Sequence, residues 1–290
     1  MGALVAIFGL VLVLAWQPSG QSADRKLVVT VNEPTAQMTD WDRATSTQAT
    51  RLTLVTVEDS ADTAAGVAVV AEAYGRLGVE VDIRGYPAQR AILLASSGEA
   101  DGEVQRIDSV RELYPSLVQV HPAVNYLEAS VFSSKTEFEP NGWDSLDPYC
   151  VGIIRGIKFA EAATAGMNRH FIADYPSLFR MLEHDRIDVA VTPRVNGRYH
   201  IRSAKLDSIS ELGEPLARFE LYHYLHERHR DLVPRIAAVL EEMRASGDMR
   251  AIRDHANKVL MNRARRGSDI YQGGGIDADL YLRPRPRGAQ

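Results

Sequence analysis

The sequence predicts an α/β protein built from two lobes. Short β-branched, apolar stretches alternate with stretches whose apolar residues recur at helical spacing, which is typical of βαβ units and parallel strand pairing. The alternation stops at 135–148, where Pro, Asn, Gly and Asp cluster, and then begins again. We therefore expect a lobe one of residues 51–135 plus 225–262 and a lobe two of about residues 147–220.

The first set of elements opens with the strand RLTLVTV at 51–57, which alternates and is rich in β-branched residues. A helix follows and ends at Gly78. Its apolar stripe consists of Val67, Val70, Tyr74 and Leu77. A second strand at 79–86, a helix that begins after Pro87 and a short strand that ends on Arg106 come next. Extended apolar segments over 117–134 complete this set.

The second set repeats the alternation. YCVGIIRG is a predicted strand and IKFAEAATAG a predicted helix, followed by the short strand RHFIA and a further helix. RIDVAVTP is a strand that Pro193 stops, and 217–225 is another extended run. Two closing helices follow, separated by Gly247. Because neither set alone is long for an independent domain, we expect these helices to return and pack on lobe one.

The amino-terminal segment is predicted to direct export. The apolar run from Ala3 to Trp16 is too short for a comfortable membrane span, and small residues suited to cleavage follow it near Ser22 or Ala23. We interpret residues 1–23 as a cleaved signal peptide and expect a periplasmic protein. An uncleaved membrane anchor is the alternative.

Two further segments lack the periodicity of folded elements. Residues 24–50 are rich in Thr, Asp, Gln and Ala and are predicted to be a linker of weak order. Residues 263–290 are rich in Gly, Arg and Pro and are predicted to be a disordered tail. The folded domain is therefore expected to span 51–262.

Composition excludes several function classes. The formal charge of −5 and the lack of a basic stripe in the central region argue against nucleic-acid binding. The single cysteine, Cys150, cannot form an internal disulfide, and no zinc pattern occurs, so no cofactor or metal is expected. The histidines His223, His226 and His229 are conceivable metal ligands, but their spacing crosses a predicted strand-to-helix junction, so they need not converge.

The order of several stretches resembles the family 3 extracellular solute-binding proteins of bacterial ABC importers. These stretches are LTLVTVEDSADTAAG, ILLASSGEADGEVQRI, YLEASVFSS, GIIRGIKFAE, LFRMLEHDRIDVAVTP and LVPRIAAVLEEMRASGDM. The resemblance covers about 51–260. It implies a periplasmic-binding-protein-like fold of type II, with two lobes joined by two crossings and a ligand cleft between them. It also implies a monomer that meets an ABC permease.

The resemblance assigns Arg106 to the ligand's carboxylate. A guanidinium grips a carboxylate with two parallel hydrogen bonds and stays charged at working pH. Asp101 and Glu103 then belong to the turn or adjoin the arginine. The alternative is a solvated arginine that pairs with Glu103 at the surface.

Other candidate ligand contacts follow the strands of both lobes. Glu58 and Asp59 lie in the loop that faces the cleft in the resemblance, although this loop also suits helix capping. Tyr126 is a candidate cleft aromatic or a buried lobe residue. Thr192 stands where many amino-acid-binding members carry an acid that holds the ligand's amino group, so a carboxylate without an adjacent ammonium becomes the expected ligand feature.

A strand-to-helix turn in lobe two offers a second anion contact. Backbone N–H groups at Arg155, Gly156 and Ile157 would point toward an anion there, and the Arg155 side chain would add a positive charge. A plain surface arginine is the alternative reading of this turn.

Three functions remain open from the sequence. The first is binding of a small, carboxylate-bearing solute for uptake by an ABC importer, without catalysis. The second is a dehydratase-like enzyme on the same scaffold, with Glu58 or Asp59 as general acid or base. The third is a ligand-sensing or partner-presenting module that takes no part in transport.

Overall fold

The computed structural model describes residues 51–58, 60–266, 278 and 281. The predicted signal peptide, the predicted linker and Asp59 lie outside the described residues, as does most of the predicted tail. None of the helices within the described residues combines the length and apolar character needed to cross a membrane.

Strands and helices alternate through the described residues. The strands are β1 (Arg51–Val57), β2 (Glu80–Tyr86), β3 (Gly102–Ile107), β4 (Leu117–Ser133), β5 (Val151–Ile154), β6 (Arg169–Ile172), β7 (Val189–Pro193) and β8 (Ser210–His226). The helices are α1 (Thr63–Arg76), α2 (Ala88–Ser97), α3 (Val110–Leu113), α4 (Lys158–Ala163), α5 (Tyr175–Glu183), α6 (Arg194–Ala204), α7 (Val233–Ala245) and α8 (Asp248–Arg266). Short 3₁₀ helices span Trp143–Leu146 and Glu227–Leu232.

All of these strands form one sheet with the order β2-β1-β3-β8-β4-β7-β5-β6. The first half contains the parallel strands β1, β2 and β3, and the second half contains the parallel strands β5, β6 and β7. The long strands β4 and β8 run antiparallel to each other and join the two halves. The sheet thus contains the two parallel sets that the sequence predicts.

The register shows where the parallel strands end. Ile107, at the end of β3, lies opposite Leu221, and Leu221 in turn lies opposite Asn125 of β4. Pro193, at the end of β7, lies opposite Ala129 of the same strand. The carboxyl ends of both sets therefore meet near the middle of β4. In α/β proteins, this edge of a parallel sheet is where ligands bind.

Apolar side chains cover both faces of each half of the sheet. In the first half, Leu54 and Val104 pack with α1, α7 and α8, whereas Val55 packs on the opposite face with α2. In the second half, Ile172 packs with α5 and Val191 packs with α4. Each set of parallel strands therefore has helices on both sides, as parallel sheets generally require.

Three features differ from the sequence-based expectations. Helix α6 was not predicted, because RVNGRYHIRSA is mostly polar and lacks a clear apolar stripe. Strand β8 begins at Ser210, before the predicted run at 217–225. Residues 263–266, which were assigned to the tail, belong to α8, and Tyr281 is fully buried in the core of the first half.

Asp101 forms hydrogen bonds with separate chain segments. It lies at the edge of the first half opposite the carboxyl ends of β1 and β3. It accepts hydrogen bonds from the Thr53 main-chain nitrogen at 2.7 Å and from the side chains of Arg228 and His229, each at 2.5 Å. Burial alone would raise the pKa of this carboxyl. The hydrogen bonds outweigh burial and hold the pKa of Asp101 below its ordinary value of 3.8.

We expect Asp101→Asn to lower the free energy of unfolding at pH 7 by about 1–3 kcal/mol, because hydrogen bonds between charged partners are lost. The folded-state pKa is depressed, so this stabilisation is present above the unfolded-state pKa of about 3.9 and is lost as the pH falls through the folded-state pKa. Urea unfolding of both proteins across pH 3–7 measures this difference. Glu241→Gln, at an exposed pair with Arg244, is the control and should change little. Equal stability of wild type and Asp101→Asn at pH 7 would contradict the assignment.

Candidate functional site

A buried polar network lies where the two halves of the sheet meet. Its centre is Asp62, which follows β1 and is 8% exposed. The Ser60 hydroxyl donates to the Asp62 carboxylate, and the Asp62 main-chain nitrogen donates to Asn196 Oδ1 at 2.9 Å. Because Asn196 belongs to α6 in the second half, Asp62 directly connects the two halves.

Two amides of the first half complete this side of the network. Asn125 Nδ2 donates to the Asp62 carbonyl oxygen at 3.0 Å and to Gln105 Oε1 at 3.1 Å. Gln105 Nε2 lies 3.5 Å from Asp62 Oδ2. The Gln105 side chain crosses Gly66 so closely that a Cβ atom there would lie 2.0 Å from Gln105 Oε1. Glycine at position 66 therefore makes room for the network.

Side chains of the second half face Asp62 from the opposite side. Asn196 Nδ2 donates to the Tyr175 hydroxyl at 2.7 Å and to Ser60 Oγ at 3.1 Å. The ring of His200 stacks on Tyr175 with a centroid separation of 4.4 Å. Thr192 is fully buried, and its hydroxyl has no hydrogen-bond partner among the described residues. The network therefore combines side chains that follow β1, β6 and β7.

Burial dominates the electrostatics of this network. It raises the pKa of Asp62 above 3.8, although hydrogen bonds from Ser60 and Asn196 and the charge of Arg106 oppose the shift. Burial also raises the pKa of Tyr175 and lowers the pKa of His200 to about 4. His200 Nε2 is buried and has no hydrogen-bond partner among the described residues. The network thus holds a carboxyl group whose ionisation is costly.

Arg106 lies at the end of β3 with its side chain already engaged. Its Nε donates to Glu103 Oε1 at 2.5 Å and its Nη2 donates to the Ala88 carbonyl oxygen at 2.6 Å. Glu103 is fully buried, and burial raises its pKa to about 7 despite the charge of Arg106. The Arg106 side chain is 19% exposed. The pairing with Glu103 matches the alternative reading of this arginine, but the pair lies largely inside the protein and not on a solvated surface.

The turn after β5 binds a carboxylate of its own chain. The Gly156 main-chain nitrogen donates to Glu161 Oε1 at 2.6 Å, and Gly156 has a φ of 93° that favours glycine. The Arg155 guanidinium is exposed and lies 5.6 Å from the ring centre of Phe171. Ile157 packs into the apolar layers on both faces of the second half. A ligand contact at this turn stays a prediction.

The remaining predicted residues are separate from Arg106. Glu58 follows β1, is partly buried, and donates its main-chain N–H to the Tyr86 carbonyl oxygen at 2.9 Å. Asp59 lies outside the described residues. Tyr126 is next to Asn125 on β4, but its ring contacts the guanidinium groups of Arg218 and Arg253. The side-chain partners of Tyr126 therefore differ from those of Arg106.

The three histidines near the end of β8 do not converge. His223 is buried, with Nε2 2.9 Å from the Tyr74 hydroxyl and Nδ1 2.8 Å from the Glu103 carbonyl oxygen. His229 contacts Asp101. Among the described residues, no group of three or more His, Cys, Asp or Glu side chains is arranged to hold a metal ion.

Sequence reasoning missed the residues that connect the two halves. These are Asp62, Gln105, Asn125, Tyr175, Asn196 and His200. Asp62 lies three residues after Asp59, the last candidate named in that loop, and Asn196 and His200 lie on α6, which was not predicted because its sequence is mostly polar. One signal was present, because Gln105 directly precedes Arg106 at a predicted strand end.

We expect Asp62→Asn to raise the midpoint of thermal unfolding at pH 7 in the absence of any added solute. The folded-state pKa of Asp62 is raised, so its contribution to stability is complete below the unfolded-state pKa and is lost as the pH rises through the folded-state pKa. An amide of similar shape removes the cost of the buried charge. Scanning calorimetry at pH 4 and pH 7 measures this, with the exposed Asp207→Asn as the control. A lower midpoint for Asp62→Asn at pH 7 would show that the carboxylate is needed for stability.

No protein-family model matches this chain, and no curated protein sequence matches it. Solved structures do match it. One is an ancestral arginine-binding protein bound to glutamine, which is 15% identical and has a TM-score of 0.56, with 75% of this chain and 98% of that chain covered. Another is the amino acid ABC transporter substrate-binding protein AbpA from Streptococcus pneumoniae, bound to L-arginine. It is 12% identical with a TM-score of 0.57, and 73% of this chain and 96% of that chain are covered.

A third structure is a sensor domain. It is a histidine kinase sensor domain with similarity to periplasmic binding proteins, 17% identical to this chain with a TM-score of 0.58. The match covers 70% of this chain and 94% of the sensor domain. At these identities the likeness concerns the fold. The chain therefore has the two-lobed α/β fold of the periplasmic binding proteins, and the Asp62 network lies where its parallel strands end.

Proposed function

We propose that this protein binds a small, carboxylate-bearing solute between its two lobes in the periplasm and presents it to an ABC importer. The observation that carries the proposal is the Asp62 network, which joins side chains that follow β1 in one half and β6 and β7 in the other. A solute that contacts both halves favours their closed arrangement, because ligand shifts an equilibrium only through contacts that differ between the two states.

The composition of the network supports a binding role over a purely structural one. Asp62 is buried, and no lysine or arginine forms a direct ion pair with it among the described residues. A buried carboxyl without a paired cation costs stability, whereas an apolar residue there would not. Costly polar groups that gather at the ends of parallel strands are typical of functional sites. We infer that Asp62 and Asn196 contact a polar, hydrogen-bonding part of the solute.

The hydrogen bonds of Arg106 support the proposal that the solute carries a carboxylate. Glu103 and the Ala88 carbonyl oxygen accept hydrogen bonds from Nε and Nη2 of the guanidinium. Nη1 makes no hydrogen bond to the described residues, so the guanidinium retains donors for a carboxylate. Glu103 then fixes the direction of Arg106, and the exposed Arg155 offers a weaker second contact.

The proposal involves no chemical conversion. The ancestral arginine-binding protein and AbpA are named for binding arginine or transporting amino acids and not for a reaction. Thr192 supplies a hydroxyl and no charge where an acid would hold an ammonium group.

A sensing function is the second candidate. The similarity to a histidine kinase sensor domain favours it, because that domain has the same fold and a comparable TM-score. Both functions need the same solute-binding cleft. Copurification distinguishes them, since a transport role requires a membrane permease as the partner and a sensing role requires a signalling protein.

We expect a solute with a carboxylate to raise the midpoint of thermal unfolding in a screen of small carboxylates, amino acids and sugars, because ligand that binds the native state stabilises it. For the best solute, Arg106→Ala should weaken binding by about 30- to 5000-fold, the range for truncation of one partner of a desolvated charged pair. Arg106→Lys should restore only part of this, because an ammonium group cannot reproduce the two-pronged contact. Titration calorimetry on each variant measures the change.

The control for this series is Arg155→Ala, which should weaken binding less, since the Arg155 side chain is exposed. Equal affinity of wild type and Arg106→Ala would remove Arg106 from the site. A preference for uncharged sugars in the screen would contradict the proposal that the solute carries a carboxylate. It would not contradict solute binding between the two lobes.

We also expect the bound solute to make the protein more compact and to remain unaltered. Small-angle scattering should show a smaller radius of gyration with solute, and mass spectrometry should recover the solute unchanged after prolonged incubation. Asn196→Ala should reduce the compaction, because Asn196 connects the lobes. Asn141→Ala, at an exposed position, is the matched control. Conversion of the solute at an enzymatic rate would favour the dehydratase-like alternative.

A further inference from the structure

Two adjoining recesses lie over the long strands, and both are lined by Asn125, Tyr126 and Arg253. The larger has a volume of about 1090 Å³ and lies between α6 and α8. The smaller has a volume of about 870 Å³ and reaches the turn between α7 and α8. Arg106 lines neither recess. The larger recess is also lined by Asp62, so the floor at Tyr126 adjoins the Asp62 network and does not include Arg106.

Arginine side chains converge on the ring of Tyr126. The Cζ atom of Arg218 lies 3.5 Å from the ring centre, and that of Arg253 lies 5.6 Å from it. Arg250 lines the smaller recess beside them. Arg218 comes from β8 and Arg253 from α8, so two separate parts of the fold bring their charges to one aromatic ring. Cation–π contact explains part of this arrangement, but it supplies no negative charge.

These arginines form no ion pair among the described residues. No carboxylate oxygen there lies within 4 Å of the guanidinium nitrogens of Arg218, Arg250 or Arg253. Arg253 is half-buried and donates one long hydrogen bond, 3.3 Å, to the Val124 carbonyl oxygen. Burial lowers the pKa of Arg253, and the charges of Arg218 and Arg250 lower it further, whereas Tyr126 and the more distant Asp254 carboxylate oppose the shift. A partly buried cation beside like charges is destabilising unless an anion neutralises it.

Four acids line the larger recess, and none of them forms an ion pair with these arginines among the described residues; they are Asp62, Glu128, Asp207 and Glu211. Glu128 accepts from Arg194 at 3.2 Å, and Glu211 pairs with Arg194 and Arg198, each at 2.7 Å. The same recess also carries cations for which no ion pair is found among the described residues. These are Arg202, Lys205 and Arg265. The surface around Tyr126 therefore carries an excess of positive charge in a protein whose formal net charge is −5.

We propose that the Arg218–Tyr126–Arg253 cluster binds the phosphate group of a small soluble anion. Guanidinium groups match the oxygens of phosphate geometrically and bind them through paired hydrogen bonds. A concave surface with two or three guanidinium groups suits a compact oxyanion of more than one charge. Arg253 belongs to the first lobe, and Arg218 belongs to a strand that joins the lobes, so the bound anion would stabilise their connection.

Titration calorimetry of the full chain with inorganic phosphate, and separately with pyrophosphate, tests the proposal at constant ionic strength in phosphate-free buffer. We expect saturable one-to-one binding that is tighter for pyrophosphate. Arg253→Met and Arg218→Met should each weaken it by about ten- to a hundredfold, the loss of a charge-assisted hydrogen bond. Arg253→Met should also raise the midpoint of unfolding in phosphate-free buffer, because an unneutralised charge is removed.

The matched control is Arg244→Met. Arg244 lines the smaller recess, but its guanidinium is already paired with Glu241, so its loss should leave the anion affinity unchanged. Arg218 is exposed, so Arg218→Met provides the test even if Arg253→Met does not fold. Absence of saturable binding to either anion, or unchanged affinity in Arg218→Met, would overturn the proposal.

A lipid headgroup is another source of the same phosphate chemistry. Cosedimentation with vesicles of phosphatidylglycerol, compared with vesicles of phosphatidylcholine alone, separates the two sources. We expect no Arg218-dependent cosedimentation, because the cluster lies in a recess. Vesicle binding that depends on Arg218, without a response to free phosphate or pyrophosphate, would overturn the assignment to a soluble anion.

Discussion

The antiparallel pairing of β4 with β8 is the constraint on which the rest of the structure depends. Each strand has 17 residues, long enough to serve the parallel strands of both halves. Their shared register brings the carboxyl ends of β3 and β7 to the middle of β4, near Asn125 and Ala129. The Asp62 network follows from this placement, because the loops and helices after those strands then face each other. The pairing is irregular on either side of this segment, between Val120 and Asn125 and between Ala129 and Val131.

The two polar surfaces described above use this central segment differently. Asn125 turns toward Asp62 and Gln105, whereas the adjacent Tyr126 contacts Arg218 and Arg253. Both residues also line the two recesses, so one short stretch contacts the Asp62 network and the arginine cluster. The part of β4 that joins the lobes is thus also the part where the Asp62 network and the arginine cluster meet.

The fold was more accessible from the sequence than the site. Strands such as 51–57 and the closing helices have strong periodicity, and the break at 135–148 is rich in turn-forming residues, so the two-lobed α/β class was predicted and the comparison of folds confirms it. Asn196 could not be found in this way, because α6 is polar on most of its surface and its partners are distant in sequence. Arg106 was singled out, but periodicity does not reveal that Glu103 is buried against it. Such contacts depend on tertiary packing, which local patterns do not encode.

Because Glu103 is buried beside Arg106, the net charge of this pair depends on pH. With a pKa of about 7, Glu103 changes protonation state within the range of ordinary aqueous environments. Above that pH the two side chains form a neutral pair. Below it Glu103 is uncharged, and Arg106 carries an unopposed positive charge at the end of β3. An acidic medium would therefore convert this position from an electrically balanced one into an attractor for anions, without any movement of the backbone.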